Sequence, residues 1–321
     1  MTILVSVVIP SFNHARFVTQ AIDSVLGQTL TDIELVVVDD GSTDGSPEVI
    51  QRHLASSDGR IPVRFVAREN RGISRTLNEA LAEATGTYFA ALGSDDLWSS
   101  NKLERQVEAL ESAGDGVAAS FTDCWVIDAQ GLRRGRMGLQ FPFRGGHIYK
   151  DLVLLRFFPP APSSFFRRHA LVELGGFNEQ TRVTEDVDLW YRVARSHEVA
   201  YLDEPLASYR IHGDNVSARD PVAVYQDKMV IMEDLILQDP ELQPMASRLR
   251  ARVQANHAGH LYTLMRLPEA RRAAVAALRI SPRERLAWRV LVRSSVGSGM
   301  VRWLRTRREI RRTRRLESED A

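Results

Sequence analysis

Four places in the chain gather side chains that can do chemistry. Asp39 and Asp40 close an apolar run in VVVDDGSTDGS, Asp95 and Asp96 follow another in TYFAALGSDDLW, Glu185 and Asp186 open TEDVDLWYR, and His212 stands in YRIHGDNVS. Adjacent carboxylates suit two tasks, supplying hard oxygen ligands to a divalent cation and taking a proton as a general base. Each cluster also has a plainer use. DDGSTDGS has the composition of a solvated turn, and the aspartates of GSDDLW suit a helix N-terminus, where free N–H groups and the dipole favour them. Thr184 suits a helix cap, with Asp188 exposed and Leu189, Trp190 and Val193 on the core face. A single histidine such as His212 is more often a hydrogen-bonded loop residue than a ligand.

The elements between the clusters decide where they land. Ile3–Ile9 is a β-branched run bounded by Pro10, and Leu35–Val38, Val63–Val66 and Tyr88–Leu92 read as further buried strands. Between them Phe17, Ala21, Ile22 and Val25, then a segment from Ser46-Pro47 to about Leu54, then Ile73, Leu77, Ala80 and Leu81 recur at helical spacing, with Ser46 as an N-cap ahead of a proline at the first helical position. This β-α-β-α-β-α-β alternation predicts an α/β fold with a mostly parallel central sheet flanked by helices. Ligands of such sheets sit beyond the C-terminal strand ends. Asp39-Asp40 and Asp95-Asp96 therefore share one rim. PSFNHARF, after the first strand, contains no G-x-G-x-x-G, which argues against a dinucleotide site. Asn101–Leu110 predicts another helix, and Gln140–Pro162, rich in Phe, Gly and Pro, predicts loops that shape a cleft. From about Pro221 the residues suit helices. The expected division is an α/β domain over 1–220 and a helical region over 221–321.

With 42 Lys+Arg against 41 Asp+Glu in 321 residues, net charge implies no nucleic-acid partner. The distribution is uneven: residues 283–315 hold twelve Arg against two Glu, a net +10. Cys124 is the only cysteine, so an intrachain disulfide or Cys-based zinc site is excluded, and it reads as a small buried residue beside Trp125. The apolar start MTILVSVVIPSFN lacks a basic flank and breaks at Pro10, and no later run reaches the length of a membrane span. The expected location is the cytoplasm.

In order and spacing, SVVIPSFN, VVVDDGSTDGS, ENRGISRTLNEAL, TYFAALGSDDLW, SSFFRRHALVELGGFNE, TEDVDLWYRVA and YRIHGDNVS resemble the family-two glycosyltransferases of the GT-A fold, over roughly residues 3–217. The resemblance implies an inverting transfer of a sugar from a nucleotide-diphosphate donor, with UDP the expected nucleotide, to a hydroxyl of a glycan or lipid-linked acceptor in cell-surface polysaccharide or glycoconjugate synthesis. It implies that Asp40 accepts from the base N–H, that Asp39 lies near the ribose, that Pro10 and Phe12 line the base pocket, and that Asn70 and Gly72 shape the loop from which Arg75 reaches the diphosphate. It implies a divalent metal, Mn²⁺ or Mg²⁺, on Asp95 or Asp96 with His212 as a further ligand; the family's Asp-x-Asp motif here begins with Gly93. Asp186 matches the family's base and Glu185 a residue that orients the acceptor. The Gln-x-x-Arg-Trp motif and following membrane spans of processive members are missing, so single-sugar addition is expected. Two other readings compete: a catalytically silent nucleotide-sugar-binding protein, and a nucleotidyltransferase, which would carry a Gly-rich, basic loop in place of PSFNHARF. The basic stretch 283–315 mixes Trp288, Leu291, Trp303 and Ile310 with arginines and suits peripheral association with an anionic membrane at the cytoplasmic face of the inner membrane.

Overall fold

Short β-branched runs separated by amphipathic helices dictate the first part of the fold. The computed structural model describes residues 3–295. β1 (Val5–Ser11), β2 (Ile33–Asp40), β3 (Val63–Arg68) and β4 (Tyr88–Ala91) alternate with α1 (Val18–Leu26), α2 (Ser46–Ala55) and α3 (Ile73–Glu83). β1 and β2 carry continuous apolar stretches, Val7–Ile9 and Leu35–Val38, because both faces are covered, and Val5, Val7, Val8, Ile9 and Val37 are inaccessible to solvent. The pairings are all parallel, with Val7 opposite both Leu35 and Ala90, and Asp40 opposite Arg68. All four C-terminal strand ends therefore open on one rim. Asp39 and Asp40 belong to β2 itself. Ser46, expected as the cap of α2, is its first helical residue, with Gly45 at the cap in a left-handed conformation, φ 87°.

The alternation then gives way to β5 (Leu97–Trp98), α4 (Lys102–Ala113), β6 (Val117–Asp128), β7 (Arg133–Arg136), α5 (Tyr149–Val153), β8 (Phe165–Arg167), α6 (Arg168–Glu173), α7 (Glu185–Ser196) and β9 (Glu198–Ile211). The sheet order is β3-β2-β1-β4-β8-β6-β9-β5, with β7 on β6. β8 is antiparallel to β4 and β6, while β9 runs parallel to β6. β6 does not read as a strand in the sequence because SFTDCWVID mixes polar with apolar residues. It is nonetheless buried at all but Trp125 and Asp128, since its polar groups are satisfied internally: Gln106 Nε2 donates to Ser120 Oγ at 3.1 Å and Thr122 Oγ1 to the Asp123 carbonyl at 2.8 Å. Arg167 locks β8 against α4, its guanidinium donating to the carbonyls of Val117, Leu110 and Gly114. Cys124 is buried.

Contacts divide the chain into two units, Met1–Lys150 with Phe157–Ile211, and Asp151–Arg156 with His212–Ala321. The division thus falls at 211/212, ahead of the expected 220/221. The second unit holds α8 (Val216–Arg219), α9 (Pro221–Gln238), α10 (Ala246–Thr263), α11 (Leu267–Ile280) and α12 (Arg285–Ser295). Ala255, Ala258, Ala270, Ala274, Ala277 and Ala287 form much of its core, small side chains that let the helix axes approach closely. Glu284 is buried, with Oε2 3.0 Å from Arg252 Nε and Oε1 accepting the Leu286 N–H at 3.1 Å at the start of α12. α12 turns Ala287 and Val290 inward and leaves Trp288 and Val292 exposed beside Arg285, Arg289 and Arg293. Residues 296–315 of the expected basic anchor lie outside the described residues. No helix among the described residues is long and apolar enough to cross a membrane.

Lys102 is a buried charge-bearing residue in the first unit's core. It is inaccessible to solvent, its Nζ has no hydrogen-bond partner among the described residues, and it lies 4.0 Å from the Trp98 ring centre. Burial holds the amine well below the ordinary lysine range, against a smaller opposing effect from Cys124. Between the depressed folded value and about pH 10 the unfolded chain therefore binds a proton that the folded chain does not, and stability rises with pH across that window. Lys102→Met is expected to raise stability at pH 7 by roughly 1–3 kcal/mol and to flatten that rise, checked by urea denaturation at pH 7 and pH 9. An unchanged or lower stability would show that the aromatic rings compensate the buried amine. For the basic end, the full chain is expected to sediment with anionic vesicles, less strongly in high salt but not released. A chain ending at Ser295, which keeps the α12 core contacts, should lose most of that binding; equal sedimentation would remove the anchor.

Candidate active site at the strand-end rim

Successive residues of a strand point to opposite faces, and this resolves the juxtaposition of Asp39 and Asp40. Asp39 accepts the Ser42 backbone N–H at 2.9 Å and the Ser42 hydroxyl at 2.7 Å. Asp40 accepts the N–H groups of Arg71 at 3.0 Å and Gly72 at 2.8 Å, with Arg68 Nη2 3.3 Å from its Oδ1. Both carboxylates are buried, and each braces a different loop. The loops meet at Gly41, φ 83°, where a Cβ would lie 2.7 Å from the Asn70 backbone nitrogen. The loop after β1 is zipped to the loop after β2 as well: Asn13 Oδ1 accepts the Thr43 N–H at 2.8 Å, and Asp44 accepts the Ala15 N–H at 2.9 Å. Pro10 is half-buried and Phe12 is 44 % exposed on this rim. Arg75, in the first turn of α3, places Nε 3.1 Å from Glu79, which also meets Arg71 at 3.2 Å and Arg68 at 3.3 Å. Three guanidinium groups thus face the two carboxylates of Glu79 and Asp40, an excess of positive charge suited to phosphate.

β4 runs into Gly93, Ser94, Asp95 and Asp96. Asp96 is buried, and its Oδ1 accepts the Arg210 backbone N–H at 2.8 Å. Burial first, and the Asp95 carboxylate second, push its carboxyl well above the usual range, against the Arg210 contacts. Asp95 instead faces His14, its Oδ2 3.8 Å from Nε2, while His14 Nδ1 and Ser94 Oγ share a 2.8 Å hydrogen bond. A cation with bonds of about 2.1 Å needs neighbouring ligand atoms about 3 Å apart, which His14 and Asp95 reach by closing less than about 1 Å. Nitrogen beside carboxylate oxygen fits a first-row divalent metal. Arg210 is 1 % exposed; its guanidinium donates to the Asp95 carbonyl at 2.7 Å, the Asp128 carbonyl at 3.3 Å and Gln20 Oε1 at 2.9 Å. Neither His14 nor Arg210 stands out by type from other polar residues of PSFNHARF and YRIH; only the rim position of those segments points to them. His212 follows β9 and begins the second unit, its backbone N–H donating to Asn215 Oδ1 at 2.6 Å.

Glu185 and Asp186 are the first two residues of α7, where the helix dipole favours carboxylates. Thr184 occupies the cap position without a side-chain capping bond. Leu189, Trp190 and Val193 fix the helix through burial, and Trp190 Nε1 donates to Ser164 Oγ at 3.1 Å. Asp188 is not exposed as expected; Arg192 at 2.6 Å and Asn178 at 3.2 Å draw it in. One cavity of about 130 Å³ is lined both by Pro10, Gly93 and Asp96 at the strand ends and by Glu185 and Asp186 of α7.

The profile of glycosyl transferase family 2 matches residues 6–175, which is more than half of the chain. An uncharacterized glycosyltransferase of Nostoc sp. is 35 % identical over 219 residues, 66 % of this chain and 66 % of that protein. Two relatives from Rickettsia, also uncharacterized glycosyltransferases, are matched over only 35 % of their own length. Among solved structures, a mannosyltransferase of Pyrobaculum calidifontis in complex with GDP-Man and Mn²⁺ is similar with a TM-score of 0.56 at 21 % identity, over 85 % of this chain and 75 % of that one. Residues 1–349 of S. aureus TarS with UDP-GlcNAc give 0.62 at 16 % identity, over 88 % and 82 %. Likeness at these identities shows a shared fold, the GT-A fold, and with the profile match across the strand-end rim it follows that this chain belongs to glycosyl transferase family 2.

Proposed function

We propose that the chain is an inverting, metal-dependent transferase that moves a single sugar from a UDP-linked donor to a hydroxyl of a glycan or lipid-linked acceptor, in cell-surface polysaccharide or glycoconjugate synthesis. The carrying observation is the one cavity lined by both the strand end bearing Asp96 and the helix start bearing Asp186. In an inverting transfer the acceptor hydroxyl attacks the anomeric carbon opposite the departing diphosphate, so a base and a phosphate-binding end must flank the space against which the sugar lies. Asp186 takes the hydroxyl proton in this reading, and Glu185 orients the acceptor. A divalent cation at Asp95 would neutralise the charge that grows on the leaving phosphate. Asp95, half-buried and facing His14, is the direct ligand here, and Asp96, held on the Arg210 N–H, supports it. His212 lies two residues after Arg210, and at about 3.3–3.6 Å per residue the chain carries it no further than about 7 Å from that bond; it is proposed as a further ligand. Imidazole ligands suit Mn²⁺ better than Mg²⁺.

Pro10 and Phe12 line the base pocket in this proposal, and Asp39 and Asp40 use the second lone pairs of their oxygens for ribose and base. Arg75, beside Asn70 and Gly72, meets the diphosphate. UDP-GlcNAc and GDP-Man with Mn²⁺ are the ligands of the two solved neighbours. The basic stretch 283–315 would keep the enzyme at the cytoplasmic face of the inner membrane, near a lipid-linked acceptor.

Two experiments test this. Donor hydrolysis and transfer, assayed over UDP-, GDP- and dTDP-sugars, should require Mn²⁺ or Mg²⁺ and stop with EDTA; full turnover in a chelated assay would sink the metal role. Asp95→Asn should weaken Mn²⁺-dependent UDP binding by about tenfold or more, while Asp96→Asn, whose amide oxygen can still accept the Arg210 N–H, should keep most of it. Separately, Asp186→Asn should lower turnover by roughly two to four decades with donor affinity near wild type. Loss of donor affinity with turnover intact at saturation would move the base to Glu185.

A further inference from the structure

The sugar itself can be read from the cavity. On the proposed reaction, which this inference rests on, the anomeric carbon is bonded to phosphate held near Asp95 and is attacked by a hydroxyl deprotonated near Asp186. The ring must therefore lie over the space lined by Gly93 and Asp96, next to Asp95 in the chain, and by Asp186. Away from the carboxylates that space is apolar, walled by Leu77, Phe89, Phe166, Phe177, Leu189 and Trp190. Its two polar side-chain groups are engaged already: the Trp190 indole N–H donates to Ser164 Oγ at 3.1 Å, and the Ser164 hydroxyl donates to the Pro160 carbonyl at 3.4 Å. Gly93 brings no side chain to the strand-end wall. A Cβ there would stand 3.0 Å from Asp95 Oδ1 and 3.3 Å from Asp96 Oδ2. A sugar hydroxyl turned into this wall would lose water without gaining a partner, whereas a methyl group would gain contacts.

We infer that the donor sugar carries a methyl group on a ring substituent and that this methyl fills the cavity below Gly93. Two sources supply the same chemistry: the acetyl group of a 2-acetamido sugar, or the C6 methyl of a 6-deoxy sugar. The cavity of about 130 Å³ is close to the roughly 150 Å³ of an apolar cavity that takes benzene. It therefore has room for an acetamido group, with the amide N–H left at the carboxylate-lined mouth.

The test is calorimetric titration of the full-length chain in Mn²⁺ with UDP, UDP-glucose, UDP-N-acetylglucosamine and UDP-6-deoxyglucose. One methyl-bearing donor should bind roughly 10- to 200-fold more tightly than UDP-glucose, the usual value of a well-filled apolar pocket, and which one does so names the source. Ala91→Leu, on the cavity wall, should cut that advantage to within about threefold; Ala161→Leu, on an exposed turn that also lines the cavity, carries the same test if the strand variant does not fold. UDP-glucose binding as tightly as both methyl-bearing donors, or an advantage that survives both fillings, overturns the inference while leaving the transferase reading intact. Failure of UDP and of every UDP-sugar to bind overturns both.

Discussion

A fully buried guanidinium under two adjacent carboxylates is the constraint around which the first unit is arranged. A charge taken out of water must find partners on every side or unfold what surrounds it. Arg210, in β9, finds them by reaching three other parts of the fold at once: its backbone holds Asp96, its side chain holds the carbonyls of Asp95 and Asp128 and the amide oxygen of Gln20, and its guanidinium lies 4.8 Å from the Phe17 ring centre. β9, the end of β4, the end of β6 and α1 are thereby fixed to one point. Asp95 is presented at the rim because the chain on both sides of it is tied down.

The same logic governs the other end of the rim. Asp39 and Asp40, which the sequence resemblance assigns to ribose and base, both accept hydrogen bonds from backbone N–H groups, one for the loop after β2 and one for the loop after β3. A buried carboxylate accepting backbone N–H groups organises a loop as firmly as a strand pairing does. In the proposed enzyme any contact with a nucleotide is laid on a scaffold that is already set, which lowers the ordering that binding would require.

The parallel half of the sheet was legible in sequence because strands covered on both faces show short stretches of Val, Ile and Leu, and helices between them show 3.6-residue spacing. β6 was not, since Ser120, Thr122 and Asp123 break the apolar run, and what makes them tolerable inside is hydrogen bonding that composition does not show, from Gln106 for Ser120, to the next carbonyl for Thr122, and from the Gly138 N–H for Asp123. The acidic clusters were visible as types. What could not be seen was which of two adjacent aspartates faces outward: Asp96 is buried on Arg210 and Asp95 is turned to His14, an outcome set by contacts with residues distant in the chain. Asp188, expected to be exposed, shows the same limit, its fate settled by Arg192 one helical turn on.

The approach of Gly41 to Asn70 leaves no slack between the loops that carry the first carboxylates. Any side chain in place of Gly41 would run into that nitrogen, part the two loops and strip Asp40 of the Arg71 and Gly72 N–H groups. Descendants of this chain have to keep position 41 bare, because the spacing of the first carboxylates is inherited together with the contact between the loops.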